Sequence, residues 1–256
     1  MKKLYDDHGN KEELVKQILK QKDSINLPQN IPEILTEDYK ISQTLDNYLE
    51  DYFDINNQFT SISNVDIKID QILAKFIKEV MEGVSQEKDK FRKAMNTKTK
   101  RFKKNFKFSK SENLYLSNIY TRLISENLGH KLEEIANLSN NVYISDQELG
   151  IHIKGIDLII YDQGLIKDTQ LKTKKDTLTG SQKDRSITEL SIHPHSIFAA
   201  ALNMGNSLTI SKKSVENYNI ELLVGDSFWS LITLDYNLIL NKIAKAIKCL
   251  DKKLYS

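Results

Sequence analysis

The stretch Gly155-Ile156-Asp157-Leu158-Ile159-Ile160-Tyr161-Asp162-Gln163-Gly164-Leu165-Ile166-Lys167-Asp168-Thr169-Gln170-Leu171-Lys172 governs the reading of this 256-residue chain. An apolar run leads into Asp162-Gln163-Gly164 and returns through Leu165-Ile166. X-Gly is a permitted two-residue hairpin turn, and a loop at Gln163-Gly164 sets Asp157 opposite Gln170 on one face of an antiparallel pair. Side chains alternate with period two along a strand, so Lys172 joins that face. An acid, an amide oxygen and an ammonium at the open end of a hairpin are the parts needed to hold a divalent cation and activate water beside a phosphate.

The flanking segments predict an α/β chain. Short helical periodicity covers Glu12 to Gln21, Leu27-Pro28 through Pro32 breaks it, and a second helix covers Ile41 to Tyr52. Ile69, Ile72, Leu73, Phe76, Ile77, Val80, Met81 and Val84 recur every three or four residues, making one apolar stripe for a core or a dimer seam. Ser109-Lys110-Ser111-Glu112 has capping-box spacing and opens a helix from about Ser111 to Asn137, with Leu116, Ile119, Leu123, Leu132 and Ile135 inward. Strands are expected at Val142–Ser145, Ile151–Tyr161 and Leu165–Thr173, then a polar loop from Lys174 to Ser186 and a helix from Pro194 to Leu202. Short strands at Ser207–Ile210 and Asn219–Val224 and helices at Ser227–Ile232 and Tyr236–Leu254 complete the order. A mainly helical region, 1–108, thus precedes an α/β core, 109–256.

These residues resemble the PD-(D/E)xK nuclease superfamily and, within it, a type II restriction endonuclease. The family pattern is an Asp at the start of one strand and a (Glu/Asp/Gln)-x-Lys on the next, matched by Gly155-Ile156-Asp157 and Gln170-Leu171-Lys172 in its Gln variant. Gly129-His130-Lys131-Leu132-Glu133 resembles the Gly-x-x-x-Glu that ends the first core helix in many members. Gly225-Asp226-Ser227-Phe228-Trp229 resembles a Gly-x-x-Phe-Trp element of the last strand-to-helix step. The likeness spans the second half of the chain, leaves the first hundred residues uncovered, and implies a restriction-endonuclease-like mixed central sheet flanked by helices.

It also implies roles. Asp157 is the bridging carboxylate for Mg2+, Gln170 a neutral oxygen ligand, and Lys172 the group that orients or deprotonates water and offsets phosphate charge. Gln leaves the site one negative charge short of what Glu would give, so a second acid is expected at Glu133, with Glu134 the fallback if the helix is rotated by one residue. The activity implied is magnesium-dependent cleavage of double-stranded DNA at a short sequence by a homodimer, beside a cognate DNA methyltransferase. A structure-specific repair or resolvase-type nuclease and a non-catalytic nucleic-acid-binding module are the alternatives.

Composition excludes some classes. Lys and Arg number 37 against 35 Asp and Glu, so net charge alone does not mark a nucleic-acid binder. Its distribution says more: residues 1–60 are acidic, while Lys98 to Lys110 carries only positive charge. Within that run Lys100, Arg101, Lys103 and Lys104 are candidate DNA-backbone contacts, with Phe102, Phe106 and Phe108 as anchors; a solvated basic helix is the plainer alternative. Lys174, Lys175, Lys183 and Arg185 are candidate phosphate contacts and Gln182 a candidate base reader, unless that loop is merely solvated. His193 and His195, at the start of the 194–202 helix, read as first-turn polar residues, with a metal pair or general base and a contact to phosphate or bases as the alternatives, and His152 reads as structural. The single cysteine, Cys249, excludes an intramolecular disulfide and a cysteine-rich zinc site. With no bilayer-length apolar run and no apolar leader, a cytoplasmic protein is expected.

Overall fold

Gln163 (φ 52°) and Gly164 (φ 80°) both adopt the left-handed backbone of a primed hairpin turn, whose twist matches that of the strands it joins. The computed structural model describes residues 3–56, 64–96 and 111–255. In chain order the elements are α1 (Lys11–Gln21), α2 (Thr36–Asn56), α3 (Val65–Asn96), α4 (Glu112–Ala136), β1 (Val142–Tyr143), α5 (Ser145–Leu149), β2 (Leu158–Asp162), β3 (Leu165–Lys174), α6 (Gly180–Ser191), β4 (Ser196–Leu202), β5 (Ile220–Val224), α7 (Asp226–Leu231) and α8 (Tyr236–Tyr255). The chain is α/β, with a mainly helical N-terminal region.

The described strands form one mixed sheet of five in the order β1-β2-β3-β4-β5. The hairpin β2–β3 pairs Leu158 with Thr169 and Asp162 with Leu165, and β1 adds antiparallel to β2. After β3 the chain crosses through α6 and returns as β4, parallel to β3, with β5 parallel to β4. Parallel neighbours need such a crossover, because a tight turn can only reverse the chain.

Four expectations are corrected here. The segment 194–202 holds strand β4 and no helix, and the expected loop 174–186 contains most of the first two turns of α6. Every residue of β4 is buried, so the strand lacks polar alternation and its Ala199-Ala200-Ala201 run mimics a helix. The signal for α6 was present: Thr179 and Gln182 form a capping box, with Ile187 and Leu190 buried behind it. Ser207–Ile210 forms no strand, and β2 begins at Leu158 and not at Ile151.

The chain divides into two compact units, one of Met1–Ser63 with Ala136–Tyr236, the other of Asn64–Ile135 with Asn237–Ser256. Each draws on both sides of the linear division at residue 108. In the first unit, Leu14 and Ile18 of α1 and Leu45, Leu49 and Phe53 of α2 share a core with Ile159, Ile187, Leu190 and Phe198. Phe53 stacks on Tyr161 with ring centroids 5.2 Å apart. Beyond β5, Gly225 opens α7, where Phe228 and Trp229 are buried and Trp229 Nε1 donates to Ala201 O of β4 at 2.7 Å. In the second unit Ile69, Ile72, Leu73, Phe76, Val80 and Val84 of the α3 stripe are buried and Ile77 and Met81 are half-buried, while Leu116, Ile119, Leu132 and Ile135 of α4 are buried. Lys131, also buried, bridges Glu79 (3.0 Å) and Glu134 (2.6 Å). Among the described residues no helix is long and apolar enough to cross a membrane.

Candidate active site

Gly155 sets the geometry. It turns the chain at φ 79°, closed by Ile156 N–H donating to Ile153 O at 3.1 Å, and delivers Asp157 to the threshold of β2. Asp157 N–H donates to Thr169 O at 2.9 Å, and the Leu158–Thr169 register carried one step outward places Asp157 opposite Gln170. Backbone pairing stops there and the side chain takes over: Asp157 Oδ2 accepts Leu171 N–H at 2.8 Å and lies 3.4 Å from Lys172 Nζ.

Burial pushes the Asp157 carboxyl above its ordinary range, while the Lys172 charge, the Leu171 N–H and the His152 charge pull it back. Gln170 is buried, and among the described residues its Oε1 has no hydrogen-bond partner. A buried acceptor without a donor is costly and marks a place where a cation, water or substrate donor satisfies it. Gln170 lines an open cleft of about 270 Å³ together with His152, Gly155, Lys172, Arg185 and Glu189.

Two of these wall residues were not picked out as site residues. His152, read as structural, is exposed on the cleft wall. Glu189 is a buried acid on α6, paired through its Oε1 with Arg185 Nε at 2.7 Å. The Arg185–Glu189 spacing of four was legible, but only a helix puts the two on one face, and that part of the chain was expected to begin as a loop.

The remaining expected residues fall as follows. Glu133 belongs to the second unit, on α4, 3.7 Å from His130, and Glu134 is engaged by Lys131. Lys174 pairs with Asp176 at 2.9 Å, and Lys175 and Lys183 are half-buried. Gln182 lines the cleft but spends its Oε1 on Thr179 N–H at 2.9 Å, so it caps α6 and lacks the free acceptor a bidentate base contact uses. Lys100, Arg101, Lys103 and Lys104, the rest of the run from Lys98 to Lys110 and the Ser109 capping position lie outside the described residues.

His193 and His195 precede β4 instead of opening a helix. His193 is buried, with Nδ1 2.9 Å from Asp168 Oδ2 and 3.1 Å from Ser42 Oγ. A hydrolytic triad places acid and hydroxyl on opposite ring nitrogens; here both meet Nδ1, Nε2 has no partner among the described residues, and the trio is sealed in the core. It is a structural tie between α2 and β3.

Mg2+ favours oxygen donors and keeps waters, taking one or two carboxylates plus substrate phosphate. The Asp157 carboxylate and the unpartnered Gln170 oxygen fit that donor set. Among the described residues no group of three or more His, Cys, Asp or Glu is arranged to hold a metal ion. No protein-family model, curated protein or solved structure matches the chain.

Proposed function

We propose that the first unit is a restriction-endonuclease-like core and that its cleft hydrolyses phosphodiester bonds of double-stranded DNA with Mg2+, in the manner of a type II restriction enzyme. The observation that carries the reading is the convergence of Asp157, Gln170 and Lys172, with a 3.4 Å contact between Lys172 Nζ and Asp157 Oδ2 and an unpartnered Gln170 Oε1. An antiparallel hairpin, a helical crossover and a parallel return strand support this reading.

Asp157 and Gln170 would hold the ion, which when bound supplies charge neutralisation and water activation beside the phosphate. Lys172, tethered to Asp157, holds a water for in-line attack and neutralises a phosphate oxygen as charge builds in the transition state. Lys174, Lys175, Lys183 and Arg185 take backbone phosphates, and Lys100, Arg101, Lys103 and Lys104 are further backbone contacts in this reading. Partners in this reading are duplex DNA, a second copy of the chain and a cognate methyltransferase.

The test is incubation of the purified protein with phage DNA, with and without Mg2+, read on a gel. A discrete ladder that needs Mg2+ and disappears in Asp157→Ala and Lys172→Ala is expected. Cutting confined to branched or damaged DNA would point to a structure-specific nuclease. Unaltered behaviour of both variants, with binding lost on charge reversal across Lys100 to Lys107, would replace the enzyme with a binding module.

A further inference from the structure

We infer that Glu189 is the second carboxylate of the cation site and that Arg185 is its displaceable counter-ion; this rests on the proposed Mg2+ site. The Glu189 side chain is only 5% exposed, yet among the described residues its ion-pair partner is Arg185, whose own side chain is 65% exposed. A buried carboxylate needs a counter-charge, and an arginine held mostly in water is the easier of the two to remove.

Gly155 shows that the approach of Glu189 is built in. A Cβ there would lie 2.6 Å from Glu189 Cβ and 2.7 Å from Glu189 Oε2, so only glycine lets α6 bring this acid against the turn that delivers Asp157. Gln170 supplies the independent sign of a missing ligand, since this buried residue lines the same cleft and its Oε1 has no partner among the described residues. One carboxylate from the start of β2, one from α6 and one amide oxygen from β3 make a hard-oxygen set for a divalent cation.

The charges balance by exchange. Without the cation Arg185 neutralises Glu189; a cation in the cleft takes over that role and repels the guanidinium. Released, Arg185 stays at the cleft mouth with its planar donors free for a phosphate oxygen. Cation binding thereby prepares the surface that grips the substrate.

The test is Mn2+ titration of the full-length, DNA-free protein, following free Mn2+ by electron paramagnetic resonance, on wild type, Glu189→Gln, Arg185→Ala, Asp157→Asn and Glu133→Gln. Glu189→Gln, nearly isosteric and checked for an unchanged melt, should weaken Mn2+ binding by about tenfold or more. Arg185→Ala should tighten it severalfold, because no competing ion pair has to break. Wild-type binding by Glu189→Gln beside a loss in Asp157→Asn would overturn the role of Glu189 and leave the proposed site standing. Wild-type binding by both would overturn the site itself. Weaker binding by Arg185→Ala, or a larger loss in Glu133→Gln than in Glu189→Gln, would also overturn the exchange.

Discussion

Gly155 and Gly164 share a backbone angle, φ 79° and φ 80°, and differ in what surrounds them. A Cβ at Gly164 meets nothing within 4 Å, so Gly164→Ala is expected to cost about 1 kcal/mol for the left-handed conformation alone. Gly155→Ala adds the clash with Glu189 and should cost about 2 kcal/mol more, measured by urea unfolding of both variants. Asp46 gives a pH test. Burial first, then the charges of Asp168 and Glu50, push its carboxyl well above the ordinary range. A raised acid pKa in the folded state means stability falls as pH climbs from the unfolded value, about 4, through the folded one. Asp46→Asn, which keeps an acceptor for Gln43 Nε2, should therefore melt higher than wild type at neutral pH. The advantage should fade as the pH is lowered below about 4, where both states of the wild-type carboxyl are protonated.

At the scale of elements, the hairpin was legible and its crossover was not. Gln163-Gly164 constrains the register by turn geometry alone, which is why the opposition of Asp157 and Gln170 could be read from a string of letters. β4 resisted the same treatment because a strand buried on both faces carries no period, and three alanines favour a helix wherever packing does not decide. With its helix assigned to the wrong segment, the Glu189 side of the cleft was invisible. Trp229 tests the packing over β4: Trp229→Phe removes the bond to Ala201 O and leaves a void in a fully buried site. The expected loss is about 2 kcal/mol in chemical denaturation, without a change in Mn2+ binding.

On the scale of the whole molecule, the first unit is discontinuous, since α1 and α2 supply Leu14, Ile18, Leu45, Leu49 and Phe53 to the core beneath β2 and β4. A fragment spanning 109–256 exposes that core, and it is expected to unfold without a cooperative transition and to bind a hydrophobic dye where the full chain does not. For the intact chain on duplex DNA, each of Lys174→Ala, Lys175→Ala and Lys183→Ala that removes a phosphate contact should reduce the slope of log K against log salt by about 0.9. An unchanged slope in all three would place the DNA elsewhere. What the sequence by itself determined was local: the hairpin register, the long amphipathic helices, the opposition of Asp157 to Gln170 and the contact of Asp157 with Lys172, because turn chemistry and residue periodicity act over a few residues. What only the tertiary structure decided was the strand identity of 196–202, the shared core of the α1–α2 pair with the sheet, and the arrival of Glu189 at Gly155. Those depend on what packs against a segment, and burial on every side erases the polar pattern by which a sequence announces it.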